Sequence, residues 1–136
     1  MRIMLDEGAM MPTRAYKTDA GLDLYSMDSC IVSARESQKF DTGVHIELPP
    51  DTVGFIKSRS SLNVKYGICC EGVIDEGYTG SIVVNLFNNS GKDYLVIKGD
   101  KIAQLVILPV VKPDLELVDS LEQTERGDNG FGSSGK

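Results

Sequence analysis

Apolar residues in this chain recur at every second position in short runs, and no long stretch carries them at helical spacing. Val44, Ile46 and Leu48 alternate with His45 and Glu47, and Ile82, Val84 and Leu86 alternate with Val83, Asn85 and Phe87. A period of two puts one set of side chains on one face of a strand. Turn chemistry interrupts the runs at intervals of roughly ten residues, as in sandwiches and barrels. The interruptions are Pro49-Pro50-Asp51, Asp75-Glu76-Gly77, Asn88-Asn89-Ser90-Gly91 and Lys98-Gly99-Asp100. The pattern predicts an all-β, jelly-roll-like barrel or sandwich with one short helix over 61–66, capped by a hydroxyl residue at its start and by Gly67 at its end. From Gln123 the hydrophobic pattern lapses, and residues 126–136 are dominated by glycine and serine. We therefore expect a β core over 1–122 and a flexible C-terminal arm over 123–136.

Charge narrows the function. Fourteen Lys and Arg stand against twenty Asp and Glu, a formal net charge of -6. General duplex binding relies on clustered positive charge, so no direct nucleic-acid binding is expected and any phosphate site must be built locally. Apolar runs such as Ile102 to Val111 fall far short of the ~20 residues of a membrane helix, and residues 1–20 contain no secretory hydrophobic region. A cytoplasmic protein is expected, in the host cell if the gene is viral. Cys30, Cys69 and Cys70 form neither a disulfide framework nor a zinc pattern and are expected as reduced thiols.

Four polar clusters break the strand pattern. Asp19-Ala20-Gly21-Leu22-Asp23-Leu24 reads as a turn opening a strand or as a functional carboxylate. Lys57-Ser58-Arg59-Ser60-Ser61-Leu62 brings cations and hydroxyls to a helix start, a phosphate-binding combination, or is an ordinary capped helix. Gly72-Val73-Ile74-Asp75-Glu76-Gly77-Tyr78-Thr79-Gly80 resembles a hairpin, in which Val73 and Ile74 would hold Asp75 in a partly desolvated place suited to a base that orients water. Tyr78 could present a flat face to a sugar or base. In the last cluster Arg126 precedes a glycine-rich stretch with one aromatic, Phe131, which is either a tail or a phosphate-binding arm. No P-loop sequence occurs. His45, the sole histidine, lies in an alternating strand and reads as a surface or packing residue, which removes Ser-His and Cys-His catalysis.

In this order the clusters resemble the five motifs of the trimeric dUTPases. The pieces are residues 20–26, Arg59-Ser60-Ser61-Leu62, residues 72–80, Gly99-Asp100-Lys101-Ile102-Ala103-Gln104-Leu105 and residues 126–135. The resemblance implies a homotrimer with shared active sites and the cleavage of dUTP to dUMP and pyrophosphate. It implies that Asp75 orients and deprotonates the attacking water, and that Asp23 holds a hydrated Mg²⁺ through water. Arg59, Ser60, Ser61 and Gln104 would bind phosphates. Backbone groups at Gly72, Val73, Ile74 and Val83 would read uracil, and Tyr78 would pack beneath the deoxyribose. The arm would bring Arg126 to the γ-phosphate, Phe131 over the uracil, and Gly132, Ser133 and Ser134 to the phosphate chain.

Ser61 stands where that family more often has glycine, Gly77 where it often has aspartate, and Lys101 where arginine is common. The segment Ile68-Cys69-Cys70-Glu71 is unusual for the family and lacks an asparagine often found there. Two rival functions are a dCTP deaminase of the same fold and a β-barrel regulatory module. The complete arm and Val73-Ile74-Asp75 favour hydrolysis over the first, and retention of Asp23, Arg59, Asp75 and Arg126 favours an enzyme over the second.

Overall fold

In the computed structural model, which describes residues 1–130, the alternating runs become eleven strands and one helix. They are β1 (Arg2–Leu5), β2 (Gly21–Tyr25), β3 (Cys30–Val32), β4 (Ser37–Asp41), β5 (Val44–Glu47), β6 (Thr52–Lys57), α1 (Ser60–Tyr66), β7 (Ile68–Cys69), β8 (Glu71–Ile74), β9 (Val83–Asn88), β10 (Tyr94–Val96) and β11 (Lys101–Pro109). All pairings are antiparallel. The largest sheet has the order β2-β11-β6-β8, a second has β4-β9-β7, and β1-β5 and β3-β10 form two-stranded ribbons. The sheets pack as a jelly-roll-like sandwich and do not close into a barrel.

Period-two burial builds the core. Along β9 the inward residues Val84, Leu86 and Asn88 alternate with exposed Val83, Asn85 and Phe87. Val84 and Leu86 meet Leu24, Ile56, Ile102 and Leu105 from the four-stranded sheet in one cluster. Each such side chain contributes about 1.5–3 kcal/mol on full burial. Asn88 is the polar exception, and its amide is satisfied. Nδ2 donates to the carbonyls of Val32 and Lys92, and Oδ1 accepts from the Ser90 amide and hydroxyl. It thereby fixes the turn read from Asn88-Asn89-Ser90-Gly91.

Two local expectations are corrected. The helix starts at Ser60 with Arg59 at the N-cap and no side-chain cap, because a guanidinium carries only donors and cannot accept from the helix N–H groups. Its C-terminal glycine is as expected, with Gly67 left-handed at φ 68°. The hairpin over 72–80 is not a ladder either, since β8 pairs with β6 while β9 pairs with β4 and β7. The chain changes sheets at this turn, and its two arms part.

All three cysteines are free. Burial raises the Cys70 thiol to about 11, so it stays protonated near neutral pH and acts as a small core residue. No helix among the described residues is long and apolar enough to cross a membrane.

Candidate active site

Three adjacent strands carry the first group of functional side chains. Gln104 on β11 lies opposite Asp23 on β2 and opposite Lys57 on β6. The Asp23 carboxylate accepts from Arg59 Nε at 3.1 Å and from Lys101 Nζ at 2.7 Å. All three side chains are partly sheltered, Asp23 being 15% exposed, Arg59 29% and Lys101 33%. Arg59 also donates through Nη1 to the Lys101 carbonyl at 3.3 Å. A guanidinium has five donors, so these two contacts leave others that an anion could use. The bond to Asp23 raises the Lys101 pKa above its usual value, so this amine stays charged at neutral pH. Gln104 donates to the Ser58 carbonyl at 3.0 Å. Its amide lies across Gly21, where a Cβ would overlap the Gln104 Oε1 atom and come within 3.1 Å of its Cβ. Gly21 is therefore the residue that lets Gln104 lie flat against β2. Ser60 and Ser61 are exposed in the first turn of α1. Lys57 does not join them, since it pairs with Glu71 at 2.5 Å.

The parted hairpin carries the second group. β8 is an edge strand, bonded only to β6, and β9 meets β7 only at Phe87 and Asn88. The outer edge of Gly72, Val73 and Ile74 and the edge of β9 beginning at Val83 thus keep backbone donors and acceptors unspent on any ladder. Beside this opening lies a groove of about 570 Å³ bordered by Ser58, Cys70, Glu71, Asn85 and Phe87. Beyond β8 the Tyr78 amide donates to the Asp75 carbonyl at 3.1 Å, and the Tyr78 hydroxyl donates to the Ser81 carbonyl at 3.0 Å. The ring folds over Gly80, where a Cβ would stand 2.5 Å from the hydroxyl oxygen.

Asp75 departs from expectation. Ile74 is buried, but Val73 is 56% exposed and Asp75 itself is exposed, so a single copy of the chain does not desolvate this carboxylate. Its turn borders a groove shared with Thr52, Val53, Glu76 and Lys112. The bond from Lys112 holds the Glu76 carboxyl below its usual range, with help from the Asp51 amide.

One chain does not bring the groups together. On β6 the Gln104 level and the Ile74 level are three residues apart, about 10 Å at ~3.3 Å per residue, with Asp75 beyond. Arg126 sits in an exposed turn where its Nε donates to the Asn129 carbonyl at 3.0 Å. Phe131, Gly132, Ser133 and Ser134 lie outside the described residues.

These motif positions can be set beside known proteins. The dUTPase family model matches residues 7–135. A deoxyuridine 5'-triphosphate nucleotidohydrolase of Clostridium acetobutylicum is 42% identical over 134 residues, covering 96% of this chain and 92% of that protein. The chain belongs to the dUTPase family. Its fold is similar to the solved dUTPase of Staphylococcus bacteriophage 80alpha with dUPNHPP, at a TM-score of 0.93 and 32% identity over 99% of this chain and 98% of that one. It is also similar to a dUTPase of phage phi11 of S. aureus, described for its coordination of a structural Mg(II) ion, at a TM-score of 0.82 and 31% identity over 90% of this chain and 98% of that one.

Within the dUTPase frame, four residues escape a reading by motif role. Lys101 enters such a reading only as a replacement for arginine, yet it holds the second oxygen of Asp23. Gly21 and Gly80 are spacers for Gln104 and Tyr78 across strands and turns that sequence alone does not pair. His45 is no mere packing residue, since Nδ1 lies 2.8 Å from the Thr79 carbonyl and Nε2 lies 3.3 Å from Asp6 Oδ1. Its only sequence signal was to be a lone imidazole among strand residues.

Among the described residues no three His, Cys, Asp or Glu side chains converge as metal ligands. Asp23 directs one oxygen to each of two cations. A carboxylate offers about four lone-pair sites, so Asp23 can still accept from a metal-bound water. The donor set fits an ion carried mainly by triphosphate oxygens and does not fit one chelated by the protein.

Proposed function

We propose that this dUTPase hydrolyses dUTP to dUMP and pyrophosphate with Mg²⁺ as cofactor, in active sites shared within a homotrimer. The observation that carries the reading is the Asp23-Arg59-Lys101-Gln104 cluster, which fixes cations and an amide beside the start of α1 in an otherwise acidic chain. A triphosphate repels nucleophiles through its own charge, so catalysis depends chiefly on charge neutralisation and positioning. Arg59, Ser60, Ser61 and Gln104 bind phosphate oxygens. Asp23 would hold a magnesium ion through water, and the ion would supply positive charge against the triphosphate oxygens.

Uracil enters the parted hairpin, where backbone groups of Gly72, Val73, Ile74 and Val83 match its donors and acceptors as strand partners would. Tyr78 packs beneath the deoxyribose. Asp75 accepts a proton from the water that attacks the α-phosphorus. The arm, residues 123–136, supplies Arg126 to the γ-phosphate, Phe131 to the base, and Gly132, Ser133 and Ser134 to the phosphates. The core proper is residues 1–122, and the enzyme works in the cytoplasm.

Two observations support the trimer. Asp75 and the cation cluster lie apart in one chain, so a second copy can complete each site. After β11 the chain exposes Leu115, Leu117 and Leu121 almost completely, at 96%, 101% and 85%. Covering each against another copy would contribute about 1.5–3 kcal/mol. The decisive assay measures pyrophosphate and ammonia release from dUTP, dCTP and UTP, with and without Mg²⁺. Magnesium-dependent pyrophosphate from dUTP alone is expected. Ammonia from dCTP would replace the reading with deamination, and no turnover at all would leave a binding module.

A further inference from the structure

His45 stands where the β1-β5 ribbon meets the loop that carries Tyr78. Its backbone on β5 is opposite Met4 of β1, and its side chain is 19% exposed. On one side Nδ1 meets the carbonyl of Thr79, the residue directly after Tyr78, at 2.8 Å. On the other, Nε2 faces Asp6 Oδ1 at 3.3 Å, is closed off from solvent, and makes no hydrogen bond of good geometry. We propose that His45 is a positioning residue for sugar selection, tying the Tyr78 loop to β5 with a proton for which the Thr79 carbonyl and Asp6 compete. The inference rests on the reading that Tyr78 packs beneath the deoxyribose.

The competition follows from proton counting. Both neighbours of the ring are acceptors. An imidazolium has two N–H groups and serves both, whereas a neutral imidazole has one. If that proton is on Nδ1, Thr79 is held and Nε2 turns a lone pair toward Asp6. If it is on Nε2, Asp6 is satisfied and the Thr79 tether is lost. The other charged groups facing this corner are Asp41 at the end of β4, bound to the Ser81 hydroxyl, and the Arg2–Glu47 pair farther along the ribbon. The bond to Thr79 raises the His45 pKa above 6.5, burial opposes the rise, and Asp6 and Asp41 add to it. The doubly protonated, fully tethered state therefore persists above pH 6.5 and is lost as pH climbs through the raised value. The tether reaches the sugar by a short route, since Thr79 adjoins Tyr78, whose hydroxyl is bound to Ser81 in the same loop.

The readout is the ratio of kcat/KM for dUTP to that for UTP, measured from about pH 6 to about pH 9. Effects of pH on Asp75 or on the phosphates act on both nucleotides and cancel in the ratio. The wild-type ratio is expected to fall about three- to tenfold as pH rises, the size of one contested hydrogen bond. Asp6→Asn can donate to Nε2 and confine the proton to Nδ1, so its ratio should stay high throughout. His45→Phe should give a low ratio at every pH. His45→Gln, which keeps a donor for Thr79, should give a pH-independent ratio above that of His45→Phe and guards against a mere folding defect. The same wild-type slope in Asp6→Asn and His45→Phe would overturn the role of His45. Tyr78→Ala distinguishes that failure from a failure of the sugar reading. An unchanged ratio there overturns the reading and the inference together, whereas a collapsed ratio with inert His45 variants overturns the inference alone.

Discussion

The Asp23 cluster and strand β8 of the parted hairpin share the four-stranded sheet, yet the two regions are finished to different degrees. Around Asp23 every long side chain is tied. Arg59 and Lys101 share one carboxylate, and Gln104 is seated on Gly21 and bonded to Ser58. Such a site is organised before a ligand arrives, which is what electrostatic stabilisation of a transferring phosphate requires. At the hairpin the backbone is fixed by β6, but Asp75, Val73 and Val83 face solvent. A base that must hold one water in place is poorly served by bulk solvent, so the proposed role of Asp75 requires a covering supplied from outside the single chain. The contrast is between a region complete in one chain and a region that the proposed trimer would complete.

The largest expected effect tests the incomplete half. Asp75→Asn removes the proton acceptor while leaving the hairpin backbone in place, and turnover should fall about 10²–10⁴-fold with nucleotide binding retained. Retention of more than about a tenth of wild-type turnover would remove Asp75 from the mechanism. Mixing this variant with chains truncated after Glu125 sharpens the comparison. If sites are shared, some mixed assemblies receive an intact carboxylate from one chain and an intact arm from another, and activity should partly return. No rescue in verified mixed trimers would mean that carboxylate and arm come from one chain.

The contrast also explains what could be read from sequence. Alternation in residues 82–87 locates inward and outward faces because it depends on neighbours within one strand. The parting of the hairpin was hidden, because it arises from β8 choosing β6, whose residues lie well upstream. A hydroxyl cap for α1 was a sound local expectation, but the helix begins one residue early and puts the donor-only Arg59 at the cap. His45 was unreadable for the same reason as the parted hairpin, its partners Asp6 and Thr79 lying 39 and 34 positions from it. Residue types suggested candidate chemistry at Asp23, Arg59 and Gln104, while the contacts that hold these side chains depend on strand pairing.

The finished half can be broken with one methyl group. In Gly21→Ala the new Cβ would strike the Gln104 amide, and the side chain or β2 must shift. Displacing a positioned phosphate contact is expected to lower kcat/KM about tenfold to a hundredfold, because a small misplacement at a preorganised site weakens transition-state contacts. Stability should change less, since an overpacked position typically costs about 1–3 kcal/mol. Gln104→Ala gives the reference. If its loss and that of Gly21→Ala combine without coupling in the double variant, the two residues do not act together.

The smallest effect concerns the Glu76–Lys112 contact beside Asp75. Lys112 lowers the Glu76 carboxyl from its ordinary 4.5, and Glu76 in turn raises Lys112 from 10.5. A lowered carboxyl pKa contributes stability that is present above the unfolded value and is lost as pH falls through the folded one. The raised amine contributes stability that is present below its unfolded value and is lost as pH rises through the folded one. The pair therefore stabilises the turn between the two ordinary values and fades outside them. Both side chains are substantially exposed, so screening keeps the contribution small. Glu76→Gln should lower Tm slightly near neutral pH, have a vanishing effect below the carboxyl range, and lose part of its effect in molar salt. A Tm difference that persisted unchanged in strong acid would show that Glu76 holds the turn through its bond from the Asp51 amide rather than through charge.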